Sequence, residues 1–543
     1  NKLALRVVGA AQDTDDYPGH GNSHRSLIVM PMATYRFSPD TELTVQVEAY
    51  EYRLLDYLGI PLDPYVGTND HARLIGGVPR DSVFVDDDTY RYQKALHTRV
   101  FFTTNFTERF SMRMAGNWIV STASSSQSNL SGSTPVVIDP ATGAYAVSPT
   151  ATVTRTYTRS FGNGLQTRRN FDLQNDFLYH LKTDAIDSRT VFGYWLNQTL
   201  EDQSNYNYTK PPFDIDAYTA AAPTFTGLAG SPTFNRRVSQ LYVSQNLSLL
   251  RDRLIVSGGV AQAYYQNHVF NKVPGSSDIH NPASNDPQAT MPSYGVVLKP
   301  VPQVSLFYGF SKQSTAIDPS TTTSLPYKLQ TSRQNEYGVR VQLLDNKIYA
   351  TWSHFDIKQN NFSVPNPGNL TVPPPNPTLP PLFMDRNARG WEFECTAAIT
   401  PSLSLIGNYT SYTNRNPFGQ VFRGNAEKSG AVWGSYAFKN GTLKGLTVGV
   451  GLDYLDKRPG DAPSGTPTSA STPTNIIMPQ PTFWLPARTL VNASIVYAWN
   501  THYKAQLNID NLFDEDYLAA SINRYMVIPG TPLNARLTVT YTF

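Results

Sequence analysis

Hydrophobic and polar residues alternate along many short segments of this chain. In "LTVGVGLDY" (446–454) every second residue is apolar, and threonine, glycine and aspartate fill the positions between. The segments "LTVQVEAY" (43–50) and "LNARLTVTYTF" (533–543) follow the same rule. A period of two places successive side chains on opposite faces of a β-strand. The pattern predicts strands whose two faces meet different environments, as in a soluble sandwich or a membrane barrel.

About twenty such strands are predicted along the 543 residues. Their ranges are 2–12, 26–37, 41–54, 94–104, 109–121, 166–182, 188–200, 236–249, 253–266, 290–300, 304–313, 333–344, 347–359, 385–400, 403–414, 428–438, 446–456, 487–499, 503–510 and 533–543.

The connections between these strands alternate between short and long. Short ones include "SPD" (38–40) and "LRD" (250–252), whereas 55–93 and 122–165 are long. Outer-membrane barrels carry short periplasmic turns and long extracellular loops, and strands in lipid need a closed sheet to pair their backbone groups. The regular alternation therefore favours an all-β, transmembrane antiparallel barrel over a sandwich. Residues 1–543 are expected to form one such barrel domain.

Composition narrows the class further. Charged residues make up 16% of the chain, below the roughly 25% usual in globular proteins. No run approaches the roughly 20 apolar residues of a membrane helix. A net charge of +2 excludes a strongly basic nucleic-acid binder, and the single Cys395 excludes an internal disulfide or a cysteine-based metal site. Because Asn1 enters a strand pattern almost at once, a mature or truncated start is expected.

Several motifs carry a family resemblance. The stretch "NIDNLFDEDY" (508–517), followed by "PGTP" (529–532) and a strand ending in Phe543, resembles the C-terminal signature of TonB-dependent outer-membrane receptors. The segments "RLIVSGGVAQAYY" (253–265) and "RGWEFECTAAITPSLSLIGNYTSY" (389–412) look like hairpins of that family's siderophore branch. "YLGIPLD" (57–63) is most similar to ferric hydroxamate receptors.

The resemblance implies a fold, a location and partners. Barrels of this family have 22 strands, so two strands and a plug domain would lie upstream of Asn1, together with the segment that contacts TonB–ExbB–ExbD. The implied location is the bacterial outer membrane, with membrane lipid, lipopolysaccharide and the barrel-assembly machinery as further partners. The transported ligand would be a ferric siderophore of hydroxamate type, with no cofactor. One departure is that Leu533 stands where the family commonly has Arg, and Arg536 comes later.

The resemblance also suggests site residues. The signature itself comprises Asn511, Leu512, Phe513, Asp514, Tyr517, Gly530, Pro532 and Phe543. Tyr57 falls where hydroxamate receptors place a ligand-facing aromatic, and Ile60 stands where some relatives carry Trp. Aromatic faces and guanidinium groups suit polar chelates. Further candidates for ligand contact are Trp118, Tyr206, Tyr208, Tyr264 and Tyr265, each of which could instead belong to an aromatic girdle or to loop packing.

Other possible sites are weaker. His20 and His24 could share a metal only on a helix, and a solvated loop is expected there. The run Asp86, Asp87 and Asp88 could hold a divalent cation that bridges to lipopolysaccharide, but an unpaired acidic loop is the favoured prediction. No catalytic pattern such as G-x-S-x-G or a P-loop occurs, so no enzyme is predicted.

Two main hypotheses for function follow. The first is a TonB-dependent receptor that takes up a ferric siderophore. The second is a plugless barrel that serves as a scaffold or anchor in a larger envelope complex. A passive porin is disfavoured because general porins have fewer strands.

Overall fold

Twenty long β-strands dominate the structure. The computed structural model describes residues 2–15, 23–55, 57, 59–65, 72–86, 88–132, 136–147, 154–271, 283–318, 329–364, 382–461, 468, 470–472 and 475–543. The long strands are β1 (Leu3–Asp15), β2 (Ser23–Ser38), β3 (Thr41–Leu55), β4 (Tyr90–Asn105), β5 (Phe110–Gly132), β6 (Thr156–Lys182), β7 (Ile186–Asp214), β8 (Pro232–Leu249), β9 (Leu254–Asn271), β10 (Gln288–Val301), β11 (Val304–Thr315), β12 (Gln330–Leu343), β13 (Ile348–Val364), β14 (Leu382–Ala398), β15 (Leu403–Arg415), β16 (Lys428–Ala437), β17 (Leu446–Leu455), β18 (Arg488–Ala498), β19 (Tyr503–Asp510) and β20 (Asn534–Tyr541). Each predicted strand overlaps one of them, which confirms the all-β prediction.

The sheet is a meander in which every long strand pairs antiparallel with the next one in the chain. Within the residues described, β1 pairs with β2 alone and β20 with β19 alone. Short strands Thr224–Gly230 and Ala283–Asn285 extend the sheet beside β7 and β9. Three small ribbons lie in the connections: Val136–Ile138 with Tyr145–Val147, Arg458–Pro459 with Trp484–Leu485, and Leu518–Asn523 with Met526–Pro529. No helix in the described part of the chain could span a membrane.

Short and long connections alternate along the whole sheet, as predicted. Two of the short turns run through three consecutive left-handed residues, Leu250–Asp252 and Leu344–Asn346, with φ between 52° and 66°. Positive φ values in a tight hairpin match the right-handed twist of its flanking strands. Because consecutive strands are antiparallel and their connections alternate in length, all short turns lie at one rim of the sheet and all long connections at the other.

The two faces of the sheet differ in polarity. One face exposes large apolar side chains such as Leu5, Trp352 and Val450, each at least half exposed. The opposite face carries hydrogen-bonded polar groups, for example Trp195 Nε1 donating to Asp172 at 2.8 Å. An apolar outer face and a polar inner face are the arrangement of a membrane barrel. We refer to these as the outward and inward faces.

Three strands rise well beyond their predicted ends. β5 runs to Gly132, β6 begins at Thr156 and β7 runs to Asp214, where the sequence pattern predicted ends at 121, 166 and 200. These extensions are rich in Ser, Thr, Asn and Gln, and their apolar residues, among them Leu130, Phe161 and Phe213, are widely spaced in the sequence. Because no lipid covers one side of the extensions, apolar residues do not fill every second position, and the sequence pattern does not predict these parts of the strands.

The long connection between β3 and β4 packs against these extensions. Ile60 is fully buried and forms one apolar cluster with Phe84, Leu130, Phe213 and other residues. The backbone of Ile60 also exchanges two hydrogen bonds with Val527, at 2.8 and 3.1 Å, in the connection between β19 and β20. Gly59 permits this close approach: its φ is +88°, and a Cβ there would lie 2.5 Å from the Val527 carbonyl oxygen.

A buried ion cluster fastens the same connection to β6 and β7. Asp86 accepts a hydrogen bond from Lys210 at 2.7 Å, and Asp88 accepts another at 2.6 Å. Arg159 Nη1 lies 3.4 Å from Asp86, and the side chains of Arg159 and Lys210 are 1% and 0% exposed. Tyr218 also donates to Asp86. We call Asp86, Asp88, Arg159, Lys210 and Tyr218 the loop latch.

The expectation of an unpaired acidic loop at 86–88 is wrong, because Asp86 and Asp88 neutralise two cations that cannot reach water. Asp87 lies outside the described residues. His20 does too, and His24 Nδ1 lies 3.5 Å from Gln12 Nε2. The described residues contain no group of three potential metal ligands.

The latch sets the ionisation of its members. Burial by itself would raise the pKa of the Asp86 carboxyl, but the hydrogen bonds from Lys210 and Tyr218 and the charge of Lys210 lower that pKa below its ordinary value. Burial and the hydrogen bond to Asp86 raise the pKa of Tyr218. Asp86 is therefore ionised and Tyr218 neutral at physiological pH.

Asp86→Asn is expected to loosen the connection between β3 and β4. Breaking a buried ion pair leaves cations without compensation and costs about 3 kcal/mol, or roughly 100-fold in the opening equilibrium. Limited proteolysis of the native protein should show faster cleavage within 57–89. The control is Asp63→Asn, whose partner Arg73 is 76% exposed, so the change should stay below about 1 kcal/mol. Equal cleavage rates for Asp86→Asn and wild type would show that the latch does not hold the loop.

The latch should also weaken in acid. A carboxyl with a lowered folded-state pKa stabilises the fold above its unfolded value, which is 3.8 for Asp86, and loses that contribution as the pH falls through the folded-state pKa. Amide-exchange protection of residues 82–86, corrected for intrinsic rates, should be constant from neutral pH to about 4 and fall below it. In the Asp86→Asn variant, protection should no longer depend on pH in this range. If the variant shows the same pH profile as wild type, the pH dependence comes from other titratable groups.

Candidate functional site

The C-terminal signature forms a hydrogen-bonded corner at the top of β19. Asn511 is 3% exposed and has a left-handed φ of 52°. Its amide nitrogen Nδ2 donates to the Glu515 and Thr531 carbonyls at 3.0 and 3.1 Å, and its Oδ1 accepts from the Glu515 N–H at 2.9 Å. Asparagine suits this position because it tolerates left-handed backbone and offers both donors and an acceptor.

The neighbouring signature residues fix the two ends of the last long connection. The Leu512 N–H donates to the Val491 carbonyl at 2.7 Å. Asp514 accepts from the Leu533 N–H at 2.8 Å, so it ties the start of the connection to the start of β20. Phe513 is 73% exposed and Pro532 is half-buried. Phe543 is fully exposed and packs edge-on against Tyr541, with ring centroids 4.9 Å apart.

Tyr517 covers Gly530 at the centre of this connection. The Gly530 N–H donates to the Tyr517 carbonyl at 2.7 Å, and a Cβ on Gly530 would lie 2.3 Å from the tyrosine ring. The guanidinium of Arg488 lies 5.0 Å from the centroid of that ring. Arg80 donates to the carbonyls of Tyr517 and Gly530 and forms an ion pair with Asp516. Signature residues and basic residues therefore meet at one place.

A cavity of about 250 Å³ opens beside Tyr517 at the long-loop rim. Its lining includes Arg73, Arg80, Arg488, Glu515, Asp516 and Tyr517. Arg458 lies next to it and donates to the Leu518 and Ala519 carbonyls at 2.9 and 2.6 Å. Burial, and then the nearby charge of Arg488, lower the pKa of Arg458 to about 10, so it remains charged at neutral pH. We call this the arginine–tyrosine cavity.

Tyr57 and Ile60 lie in the connection between β3 and β4. The Tyr57 hydroxyl donates to the Ser82 carbonyl at 3.4 Å, and its ring is half-buried. Ile60 is 0% exposed and belongs to the apolar cluster beneath the loop. The surroundings of Ile60 favour a packing role, and ligand contact by Tyr57 stays a prediction.

Three other candidates do not line a common site: two point outward and one is buried in local packing. Trp118 and Tyr264 lie on the outward face, 50% and 47% exposed, and Trp118 packs edge-on against Phe171. Tyr265 points inward but is 7% exposed and donates to the Ser314 carbonyl at 2.8 Å. These positions favour the girdle and packing alternatives, because an outward side chain cannot reach the lumen.

Tyr206 and Tyr208 stand on the extension of β7. Tyr208 packs against Phe161 and Phe225, each with ring centroids 5.5 Å apart, and Tyr206 lies 6.4 Å from Phe225. Phe161 in turn lies 4.5 Å beneath the Lys210 ammonium of the latch. The two tyrosines are thus part of the aromatic surface of the loops, and the structure does not gather all seven candidates into one site.

A second basic site on the inward face escaped the sequence analysis. Arg168 and Arg236 both contact the buried Glu201, at 2.7 and 3.2 Å. Arg236 also pairs with Asp318 at 2.7 Å and lies 4.3 Å from the Phe234 ring centroid. Arg168 remains 48% exposed. The sequence does contain one indication of this site: arginines occupy inward-facing positions of predicted strands, and a polar lumen does not by itself require arginine there.

Two basic clusters with aromatic neighbours therefore line the long-loop end. Guanidinium groups can donate in parallel to the oxygen atoms of an anionic or polar chelate, and aromatic rings supply contact area. Neither cluster contains a nucleophile activated by a neighbouring base. The arrangement suits binding rather than covalent chemistry.

Known proteins resemble all or part of this chain. The metal-pseudopaline receptor CntO of Pseudomonas aeruginosa is 23% identical over 563 aligned positions, which cover 100% of this chain and 71% of that protein. The ferrichrome outer membrane transporter/phage receptor of Escherichia coli is 24% identical over 54% of this chain and 36% of its own length.

Solved structures share the fold. The closed form of the ferric-catecholate import receptor Fiu of E. coli superposes with a TM-score of 0.79 at 17% identity, over 100% of this chain and 78% of that one. The ferripyoverdine receptor of P. aeruginosa superposes with a TM-score of 0.80 at 16% identity, over 99% and 68%. At these identities the likeness demonstrates a common fold.

The model of the TonB-dependent receptor-like β-barrel family matches residues 34–512. That range includes most of the twenty strands and the start of the signature corner. The predicted all-β transmembrane fold, the outer-membrane location and the non-enzymatic class are confirmed by this match. The chain belongs to the β-barrel family of TonB-dependent outer-membrane receptors.

Proposed function

We propose that this barrel binds a ferric siderophore at its long-loop rim, as the first step of TonB-dependent uptake. The observation that carries the proposal is the arginine–tyrosine cavity, where Arg80, Arg488 and Tyr517 converge at the extracellular end of the lumen. The second cluster, with Arg168 exposed beside Arg236, offers further donors on the inward face. The siderophore is cargo, and no cofactor is proposed.

The finer proposal is a hydroxamate-type siderophore. It rests on the resemblance of "YLGIPLD" (57–63) to hydroxamate receptors and on the position of Tyr57 in the connection beside the cavity-lining residues Arg73 and Arg80. Energy for transport would come from TonB–ExbB–ExbD. The barrel-assembly machinery would insert the chain, with the aromatic end at Phe543 as a recognition element.

A second candidate is a chelate of another metal. It is favoured by the full-length similarity to a protein named as a metal-pseudopaline receptor. The structural scaffold is the third, and it predicts no chelate binding at all.

Tryptophan fluorescence of the native receptor can separate these candidates. Trp195 and Trp433 lie on inward-facing positions and should report occupancy of the lumen. A ferric hydroxamate is expected to bind at roughly 100 nM or tighter, which is about −10 kcal/mol, and its iron-free form more weakly. Tighter binding of a ferric catecholate or of a non-ferric chelate would reject the hydroxamate proposal. Indifference to every chelate would reject the receptor and favour the scaffold.

Arg168 and Arg169 provide a matched pair for mutation. They are adjacent on β6, with Arg168 on the inward face beside Glu201 and Arg169 on the outward face. Arg168→Gln is expected to weaken chelate binding by about tenfold, because the variant loses one charge-assisted hydrogen bond, which contributes about 1.5 kcal/mol. Arg169→Gln should bind like wild type. Equal affinities for both variants would exclude the Arg168 cluster from the ligand path.

The cavity itself can be tested with Arg488→Lys, which keeps the charge but loses the planar group over Tyr517. Titration should show a loss of about fivefold or more, since stacked guanidinium groups contribute about 1 kcal/mol. Wild-type affinity in this variant, with Arg168→Gln weakened, would place the ligand at the second cluster instead.

A further inference from the structure

A further arginine, outside both basic clusters, lies at the mouth of the lumen. Arg386 belongs to β14, in which Trp391 and Phe393 are exposed on the outward face. Because side chains alternate along a strand, Arg386 points inward. It stands twelve residues from Ala398, the end of β14 at the short-turn rim. At about 3.4 Å per residue and a tilt of about 40°, this is roughly 31 Å above that rim, beyond an apolar band about 25 Å tall. Arg386 therefore lies in the extracellular mouth.

Two phenyl rings and one amide hold the Arg386 side chain in place. Its guanidinium carbon lies 5.1 Å from the ring centroid of Phe362 and 5.0 Å from that of Phe422. Its Nη2 donates to the Gln359 Oε1 at 2.6 Å. Cation–π contacts attract the guanidinium but leave its hydrogen-bonding capacity unused. Since a guanidinium has five N–H donors, four of them have no partner in the described part of the chain.

The positive charge of Arg386 is uncompensated as well. Arg168 and Arg236, on the inward face of other strands, both pair with the carboxylate of Glu201. Among the residues that the structure describes, no carboxylate lies within ion-pair distance of Arg386. The side chain of Arg386 is half-buried, and partial removal of a charge from water costs free energy unless an opposite charge compensates it. This arginine is therefore suited to an anion that comes from outside the barrel wall.

The connection between β15 and β16 links this arginine to the arginine–tyrosine cavity. Phe422 in that connection is 8% exposed and packs against Arg386. Two residues later, the Gly424 N–H donates to the Pro459 carbonyl at 2.8 Å. Pro459 directly follows Arg458, whose guanidinium lies beside the cavity. Arg386 and the cavity therefore border the same connection of the mouth.

We infer that Arg386 binds a free carboxylate of the metal chelate, one that does not ligate the metal. The inference rests on the proposed uptake of a siderophore, and it specifies the substrate class as a chelate with negative charge at its periphery. A carboxylate presents two oxygen atoms in one plane, and a guanidinium donates to both through two parallel N–H groups. A neutral trihydroxamate offers no such group. In a ferric catecholate the charged oxygen atoms surround the metal, and the rings lie outside them.

Two forms of one ligand test the role of the carboxylate. The acid form is the ferric complex of a citrate dihydroxamate with two free side carboxylates, and the ester form is its dimethyl ester, which keeps the metal-binding groups. Fluorescence titration of the native receptor should show that the acid form binds at least tenfold more tightly, because a charge-assisted hydrogen bond contributes about that factor. Equal affinities of the two forms would overturn the inference and leave the proposed uptake function standing.

Substitutions assign this difference to Arg386. Arg386→Gln should bind the acid form about tenfold more weakly and the ester form like wild type, so the ester titration also verifies folding. Arg386→Lys keeps the charge but loses the parallel donors, and it should bind the acid form about threefold more weakly. The control is Arg389→Gln, which removes an exposed arginine from the outward face of the same strand and should bind both forms like wild type.

The remaining outcomes separate this inference from the proposed function. A preference for the acid form that persists in Arg386→Gln would place the carboxylate elsewhere and overturn the inference. If Arg386→Gln does not fold, wild-type affinity of Arg386→Lys for the acid form would overturn it instead. Failure of both ligand forms to bind would also overturn it; binding of another chelate would then keep the receptor function, and failure of every chelate would reject that function too.

Discussion

The fold of this receptor depends on the need to pair backbone N–H and C=O groups within a lipid medium that provides no hydrogen-bonding partners. Hydrocarbon cannot solvate an amide, so each strand takes its partners from its neighbours in the chain. The result is a meander of twenty strands with short turns at one rim and long connections at the other. Since the wall is one sheet thick, each strand must present an apolar face to lipid and a polar face to the lumen.

That constraint explains how much of the fold could be predicted. Within the membrane, alternation is imposed on every strand, and the twenty predicted ranges each meet an observed strand. Above the membrane the constraint ends, and the sequence pattern does not predict the extensions of β5, β6 and β7. Asp86 and Lys210 are 124 residues apart, and a short acidic run carries no sign of a buried partner so distant. The acidic run that was expected to be unpaired is instead held by buried ion pairs.

The candidate site shows the same division. The corner at Asn511 is local, because its side chain bonds to residues 4 and 20 positions away, and the sequence motif identifies it. The arginine–tyrosine cavity and the Arg168–Arg236 cluster assemble from distant strands, so no local pattern reveals them. Residue type and position near the top of a strand suggest Trp118 and Tyr264 as ligand contacts, but contact with the lumen also requires that the side chain lie on the inward face of its strand. Whether a residue lies at an inward or an outward position of its strand therefore distinguishes ligand candidates from girdle residues better than its residue type does.

The contacts between the β3–β4 connection and the β19–β20 connection bear on how the extracellular mouth of the receptor assembles. Arg80 and Gly530 are 450 residues apart, as remote as almost any pair in the chain, and Ile60 meets Val527 across a similar interval. During synthesis from the N-terminus, the β3–β4 connection exists long before its partner does. Its final packing must wait for the turn from β19 into β20. An ordered mouth therefore requires completed assembly, and a barrel that stalls before the β19–β20 hairpin forms leaves the β3–β4 connection without these contacts.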